Sequence, residues 1–177
     1  MKSLRILTSA GLLASGLLLT SGASLTSAAA ATVSSCAPAH LRVSLGVAQG
    51  AAGTIYHPVV FTNTGPTCSV FGVATIQPVV GGPSHNLAAV GPAARNASMG
   101  EMPVIHVVKK GQSVSDAFAV VETGNYTAST CKPRTAGAIE VSLGTFVRHT
   151  YVNLTISVCT ARASTSTRLL APGTTGY

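Results

Sequence analysis

The chain has 177 residues, of which 46% are hydrophobic and only 8% are charged, and its formal net charge is +7 at pH 7. The basic residues are scattered, and the only adjacent pair is Lys109 and Lys110, so no patch typical of nucleic-acid binding is present. The mild positive charge is compatible with attraction to anionic wall polymers. The absence of tryptophan weakens a carbohydrate-binding interpretation, which relies on exposed aromatic rings.

The first 31 residues have the pattern of an export signal that is removed. Lys2 and Arg5 precede an apolar stretch, and the small residues of SAAAAT are of the kind that a signal peptidase recognises. The unbroken apolar part is shorter than the roughly 20 residues that span a bilayer, which argues against a retained anchor. We predict a cleaved signal peptide over residues 1–31 and a single secreted domain over residues 36–177, without a stable membrane span.

Four cysteines lie in the predicted domain: Cys36, Cys68, Cys131 and Cys159. An even number in an exported chain indicates disulfides, and of three possible pairings the spacing favours the two sequential ones. A metal site is not favoured, because CxxC and CxxH spacings are absent. VSSC at residues 33–36 loosely fits a lipoprotein box, but lipid on Cys36 would leave one of three other cysteines unpaired. We therefore expect no lipid anchor.

Short runs rich in β-branched and aromatic residues follow, separated by Gly, Pro, Asn and Ser clusters. These runs predict strands at residues 40–48, 54–63, 68–77, 102–108, 113–122, 136–143 and 150–159. In the first run Leu41, Val43 and Leu45 alternate with polar residues, as in a strand with one buried face. About seven such strands predict an all-β fold, an immunoglobulin-like antiparallel β-sandwich with two disulfides. A small closed barrel is the alternative.

Local sequence features refine this prediction. Pro58 cannot donate a ladder hydrogen bond, so we expect its strand to lie at an edge or to carry a bulge. Residues 63–66, with the sequence NTGP, have turn composition and predict a hairpin between the second and third strands. The stretch 86–103 lacks alternation and predicts a long connection between strands, with or without a functional role.

The most specific motif is GAAGTIYHPVVFTNTGPTCSVFG at residues 50–72. It resembles the signature of an actinobacterial secreted family, domain of unknown function 4232, and the segments around Cys131 and Cys159 continue the resemblance to the end of the chain. The resemblance implies an exported or lipid-anchored β-sandwich and no assigned activity. The family usually continues with Tyr-Pro-Gly-Val after this motif, whereas this chain has VATI after Gly72. This departure favours a straighter strand here.

No catalytic motif accompanies the predicted fold. The chain lacks a nucleophile elbow, and disulfides would leave no free thiol. Asp116 and Glu122 lie on one predicted strand roughly 20 Å apart, at about 3.3 Å per residue, too far for a glycosidase pair. We therefore expect no enzyme activity, no cofactor, and a binding or interaction role towards an extracellular or cell-wall ligand.

Two alternative functions are kept. A copper carrier would draw its ligands from Met99, Met102 and His106, because Cu(I) accepts thioethers and imidazole. An enzyme would need a site assembled from residues distant in sequence. A deep polar pocket, or histidine nitrogens close together, would favour these alternatives over a binding module.

Overall fold

The computed structural model describes residues 32–82, 87–98 and 100–177. The strands in this part of the chain are β1 (Leu41–Leu45), β2 (Gln49–Ala51), β3 (Thr54–Asn63), β4 (Cys68–Val70), β5 (Thr75–Val80), β6 (Ala88–Ala89), β7 (Arg95–Asn96), β8 (His106–Val108), β9 (Ser113–Val121), β10 (Pro133–Leu143), β11 (Val147–Cys159), β12 (Thr165–Thr167) and β13 (Ala171–Pro172). Helical structure in the same residues comprises the short helix α1 (Ala128–Cys131) and two 3-10 turns, Pro38–His40 and Thr123–Asn125.

The strands form two main sheets and one small sheet. The larger sheet has the order β1-β3-β9-β12-β7, with β2 also paired to β3 and β13 to β9. The second sheet has the order β11-β10-β5-β6, and β4 pairs with β8 in the small sheet. Pairing is antiparallel in all three sheets except between β12 and β7. An all-β, sandwich-like fold is thereby confirmed.

The core lies between the two main sheets because alternate side chains of each strand point inward. Val59 and Phe61 of β3 and Phe118 of β9 have no solvent exposure. Their partners in the same buried cluster come from the second sheet: Ile76, Ile139, Val141, Leu143, Ile156 and Val158. Branched and aromatic side chains suit this position, because they fill space on a pleated surface with few rotamers.

On the outer face of the larger sheet, residues 173–177 cover the part that β3 and β9 form. The backbone N–H of Gly176 donates to Ser115 Oγ at 2.9 Å, and a Cβ at Gly176 would lie 3.0 Å from Ala117 Cα. The ring of Tyr177 meets that of Tyr56 edge to face, with centroids 5.7 Å apart. Strand β9 is therefore buried on both faces.

The predicted hairpin between the second and third strands is wrong. β3 pairs with β1 and β9, whereas β4 pairs with β8. The buried side chain of Asn63 explains the difference: its Nδ2 donates to the carbonyls of Pro66 and Val108 at 2.7 and 2.9 Å, and its Oδ1 accepts from Gly65 N–H at 2.9 Å. These bonds make residues 63–66 a corner, so the chain enters a different sheet at Cys68.

The expectation of one straight strand at 68–77 is also wrong. The chain forms β4, breaks, and resumes as β5 in the second sheet. Gly72 in the break has φ +113°, a conformation open to glycine and strained for other residues. The bend therefore occurs at Gly72 without the Tyr-Pro-Gly-Val sequence.

Pro58 lies on an internal strand, so the edge alternative of the prediction is wrong, and the irregularity expected of a bulge lies in the partner segment, where residues 46–48 stand opposite residues 57–58. The carbonyl of Pro58 accepts from Gly46 N–H at 2.8 Å, which places its nitrogen on the side of β1 and β2. β1 ends at Leu45 and β2 begins at Gln49, so the ladder on this side is already interrupted opposite Pro58. No donor is needed there, and the proline is tolerated.

Candidate functional site

Two disulfides join the predicted cysteine pairs. Cys36 is bonded to Cys68 with an S–S distance of 2.07 Å, and Cys131 to Cys159 with 2.03 Å. Because the sulfur of Cys36 is in a disulfide, it is not available for a thioether bond to a lipid. The pairs are consistent with an oxidising compartment outside the cytoplasm.

Among the described residues, the helices are too short and too polar to cross a membrane.

The first disulfide holds the small β4–β8 sheet against the preceding segment. Cys36 N–H donates to the carbonyl of Ser69 at 2.9 Å, and Ser69 N–H donates to the carbonyl of Ser34 at 2.8 Å. Both backbone polar groups of Ser69 thus point away from β8. Because successive residues of a strand point to opposite edges, the polar groups of Cys68 and Val70 point towards β8.

The two faces of the β4–β8 sheet differ in burial. Val70 and Val108 point inward and are buried at 0% and 3% exposure. The outer side presents four large apolar side chains that stay exposed, here called the apolar face: Val33 (42%), Phe71 (43%), Ile105 (65%) and Val107 (53%). Val107 stands opposite Ser69 in the register, Ile105 precedes it by two residues, and Phe71 follows Ser69 by two. Exposed apolar side chains thus follow the outer side of this sheet, and Val33 belongs to the neighbouring segment, where its carbonyl accepts from Ser69 Oγ at 3.4 Å.

A groove of about 430 Å³ runs along the other edge of β8, and it is here called the edge groove. Its lining comprises Ile105, His106, Val107, Val108, Gln112, Ser113, Val114, Pro172 and Gly173. His106 and Val108 pair with Val70 and Cys68, so the backbone N–H and C=O of Ile105 and Val107 face the groove. Among the described residues these four groups have no hydrogen-bond partner.

Of the three predicted copper ligands, the two that the structure describes, His106 and Met102, border different depressions. His106 Nε2 lies 2.9 Å from the carbonyl oxygen of Leu170, to which it donates, and His106 lines the edge groove. Met102 is 84% exposed and borders a separate depression of about 310 Å³. Met99 lies outside the described residues. In the part of the chain that the structure describes, no three His, Cys, Asp or Glu side chains are grouped as a metal site.

The copper interpretation stays a prediction. Titrating the purified protein with Cu(I) in competition with a chelator tests it, and an affinity weaker than micromolar would end it.

A second cleft, of about 400 Å³, lies where β3 and β9 meet the edge strand β11. Its lining includes the half-buried His57, the exposed Glu122 and apolar walls from Ile55, Val120 and Ile156. Burial lowers the pKa of His57, which favours the neutral imidazole. In the described residues, no hydrogen bond links His57 to an acid or a hydroxyl.

Asp116 has a place that the sequence interpretation did not foresee. Its side chain has no solvent exposure and lies on the core face of β9, between Val114 and Phe118. Oδ2 accepts from Ala74 N–H and Oδ1 from Arg168 N–H, both at 3.1 Å. Burial raises the pKa of Asp116 to about 7, against the lowering effect of the two hydrogen bonds. The carboxyl ties two loops to β9 and lines none of the depressions described above.

Fold and surface together define a disulfide-braced, all-β sandwich-like domain with an exposed apolar face and an open strand edge. A family model described as a domain of unknown function, DUF4232, matches residues 36–176, and the chain belongs to this family. No curated protein and no solved structure gives a significant match. The family carries no assigned activity, so the function has to be argued from the surface.

Proposed function

We propose that the protein is an exported, non-catalytic binding module of the cell envelope or extracellular space, and that its apolar face binds a partner. The observation that carries this proposal is the exposure of Phe71, Ile105 and Val107 along the outer side of the β4–β8 sheet, with Val33 in the segment next to Ser69. Contiguous apolar patches are uncommon on soluble domains and mark interaction sites. Single exposed apolar residues such as Val47, in the loop between β1 and β2, need no such explanation.

The apolar face is also anchored at one end. The Cys36–Cys68 disulfide and the hydrogen bond from Asn63 Nδ2 to the carbonyl of Val108 both fix the end of the sheet at which Cys68 pairs with Val108. A surface that is already ordered loses little conformational entropy on binding. Burying each half-exposed side chain would contribute on the order of 1 kcal/mol, so the four together provide a useful anchor.

Export is part of the proposal. Its support is the signal-peptide pattern of residues 1–31 and the presence of two disulfides. The mass of the mature protein, together with its N-terminal sequence, tests it. We expect an N-terminus near residue 32, ahead of a domain that starts at Cys36, and no acyl chains. A mature N-terminus at Cys36 carrying lipid would contradict the proposal.

The binding role is tested with the exported protein immobilised and exposed to envelope extract and culture supernatant. The test variant combines Ile105→Thr with Val107→Thr, which keeps β-branched side chains on the strand and makes the apolar face polar. The matched control is Val47→Thr, because Val47 is 83% exposed and lies outside the face. We expect the parent and the control to retain the same components and the double variant to lose them.

Equal retention by all three proteins would place binding elsewhere. Turnover of a substrate by the purified protein, without any retained partner, would contradict the non-catalytic role.

A further inference from the structure

We propose that the edge groove accepts an extended peptide segment of the partner, which pairs with β8 as an added β-strand and places an acidic residue beside Lys109 and Lys110. This inference rests on the proposed function, because it specifies what binds at the same sheet. The observation behind this inference is the unpaired edge of β8. The apolar face alone does not indicate whether a partner binds as a strand, a helix or a loop.

The hydrogen-bonding groups of β8 are arranged for strand addition. Ile105 and Val107 direct two N–H and two C=O groups into the groove, two residues apart, as one side of a β-ladder requires. An unpaired strand edge is a template for another chain, and peptide recognition often proceeds this way. Lys109 N–H donates instead to Gln112 Oε1 at 2.9 Å, so the open ladder ends at Val108.

The opposite wall of the groove does not compete for the added strand. Pro172 has no N–H, and Gly173 N–H already donates to the carbonyl of Ser113 at 2.9 Å. The incoming segment thus has a hydrogen-bonding wall on one side and a mostly satisfied wall on the other. A volume of about 430 Å³ lies within the roughly 300–1,000 Å³ of ligand clefts and suits a short segment.

The side chains and the charge around the groove indicate which residues the peptide segment should contain. In an added strand, alternate side chains lie beside Ile105 and Val107, at the roughly 5 Å spacing of cross-strand pairs, so we expect apolar residues at these positions. Lys109 and Lys110 are exposed immediately after β8. Residues 32–177 carry nine Lys and Arg side chains against four acids, so an acidic segment is attracted and a second copy of the chain is repelled.

The experiment uses a fluorescein-labelled synthetic peptide in which valine and threonine alternate after two glutamates. Two further peptides have the same side chains, and each is N-methylated at alternate residues, one on each edge of the strand. We expect the unmodified peptide to bind and one methylated peptide to lose affinity about tenfold or more, because it cannot donate to β8. The peptide methylated on the other edge keeps its affinity.

Amide exchange measured by NMR locates the peptide. Binding should slow exchange at Ile105 and Val107, whose N–H groups face the groove. Val107→Pro removes one of these donors but keeps three apolar side-chain carbons, as valine has, whereas Val107→Ala keeps the donor and removes two of the three carbons. We expect Val107→Pro to bind at least about tenfold more weakly than Val107→Ala. The methylated peptides provide the same test without any change to the protein, should the proline variant fail to fold.

The outcomes separate this inference from the proposed function. Failure of the unmodified peptide to bind, equal binding of all three peptides, or equal loss by both methylated ones would overturn strand addition. If the threonine double variant still loses its envelope partners, the proposed function stands without it. Slow amide exchange at Ile105 and Val107 in a dimer without peptide would also overturn the inference, because a second copy of the chain would then occupy the edge of β8.

Discussion

Charged groups are usually exposed and large apolar side chains are usually buried. Asp116 and the apolar face are opposite exceptions to this rule. The Asp116 carboxyl lies in the core with no exposure, whereas Ile105 and Val107 are 65% and 53% exposed. The buried carboxyl is accounted for within the chain, because Ala74 and Arg168 donate hydrogen bonds to it. Within the apolar face, the ring of Phe71 meets that of Phe146 edge to face, with centroids 5.3 Å apart, whereas Ile105 and Val107 stay more than half exposed. A buried polar group whose hydrogen bonds are made within the chain stabilises the fold. Apolar side chains that stay exposed in the folded chain indicate a binding partner.

The largest effect expected from this comparison is a pH dependence at Asp116. Its folded pKa of about 7 exceeds the ordinary value of 3.8, so the folded state holds the proton more tightly. Stability from this group is therefore greatest below about pH 4 and falls as the pH rises towards 7, by about 4 kcal/mol in total. Asp116→Asn should lack this decline. Urea unfolding of parent and variant between pH 4 and 8 measures it.

The quantity to compare is the difference in unfolding free energy between the two proteins at each pH. His57 contributes with the opposite sign, since its lowered pKa costs stability as the pH falls, and the difference removes its effect. Glu122→Gln is the matched control at an exposed carboxylate and should follow the parent. Parallel curves for parent and Asp116→Asn would show that the buried carboxyl does not titrate in this range.

The two disulfides provide the next largest effect and separate stability from binding. Each closes a loop of about 30 residues, and chain entropy predicts a loss of roughly 3–4 kcal/mol when either is removed. Replacing Cys36 and Cys68 with serine should also weaken partner binding, because this disulfide holds the β4–β8 sheet. Replacing Cys131 and Cys159 should lower stability alone.

Unfolding in urea and retention of envelope components, measured on both double variants under folded conditions, test this. Equal binding by the two variants would indicate that the apolar face does not depend on its nearby disulfide.

Long strands were predictable from the sequence because the alternation of apolar and polar residues extends over many positions. The bounds predicted for the second strand, 54–63, are those of β3, and the cysteine spacing indicated the right pairs. Strands of two or three residues, such as β6 and β7 within the stretch interpreted as a connection, carry no periodicity and were missed. The pairing of β3 and β4 was also predicted wrongly. Residues 63–66 have the composition of a hairpin turn, but the buried hydrogen bonds of Asn63 make them a corner between two sheets.

The candidate site was predictable only in part. Alternation of Val114, Asp116, Phe118 and Val120 contained a signal for the buried carboxyl, since three of these residues share its core face. The run MPVIHVV predicted a strand over 102–108, but only His106–Val108 forms one. Two pairs of adjacent apolar residues leave its buried side undefined. The apolar face therefore appears only when the pairing of β4 with β8 is known.

Asn63 gives a smaller effect that tests how the apolar face is supported. Asn63→Ala removes two donors and one acceptor from a fully buried position, at an expected cost of about 2–3 kcal/mol of unfolding free energy. Asn63→Asp is the matched variant, because it keeps the acceptor for Gly65 but turns oxygen towards two carbonyls. We expect it to be at least as destabilised in urea. A stable Asn63→Asp protein would mean that the corner does not depend on the donated bonds.

The smallest effect on stability is expected where the effect on binding is greatest. In the Ile105→Thr and Val107→Thr double variant, both side chains are already more than half exposed in the free protein, so little burial is lost and the free energy of unfolding should change by less than about 0.5 kcal/mol. Val114→Thr, at a position with 1% exposure, is the matched core change and should be clearly destabilising. Unfolding curves of the three proteins provide the measurement. A large loss of stability in the surface variant would show that Ile105 and Val107 serve the fold as Asp116 does, and the contrast between the two regions would disappear.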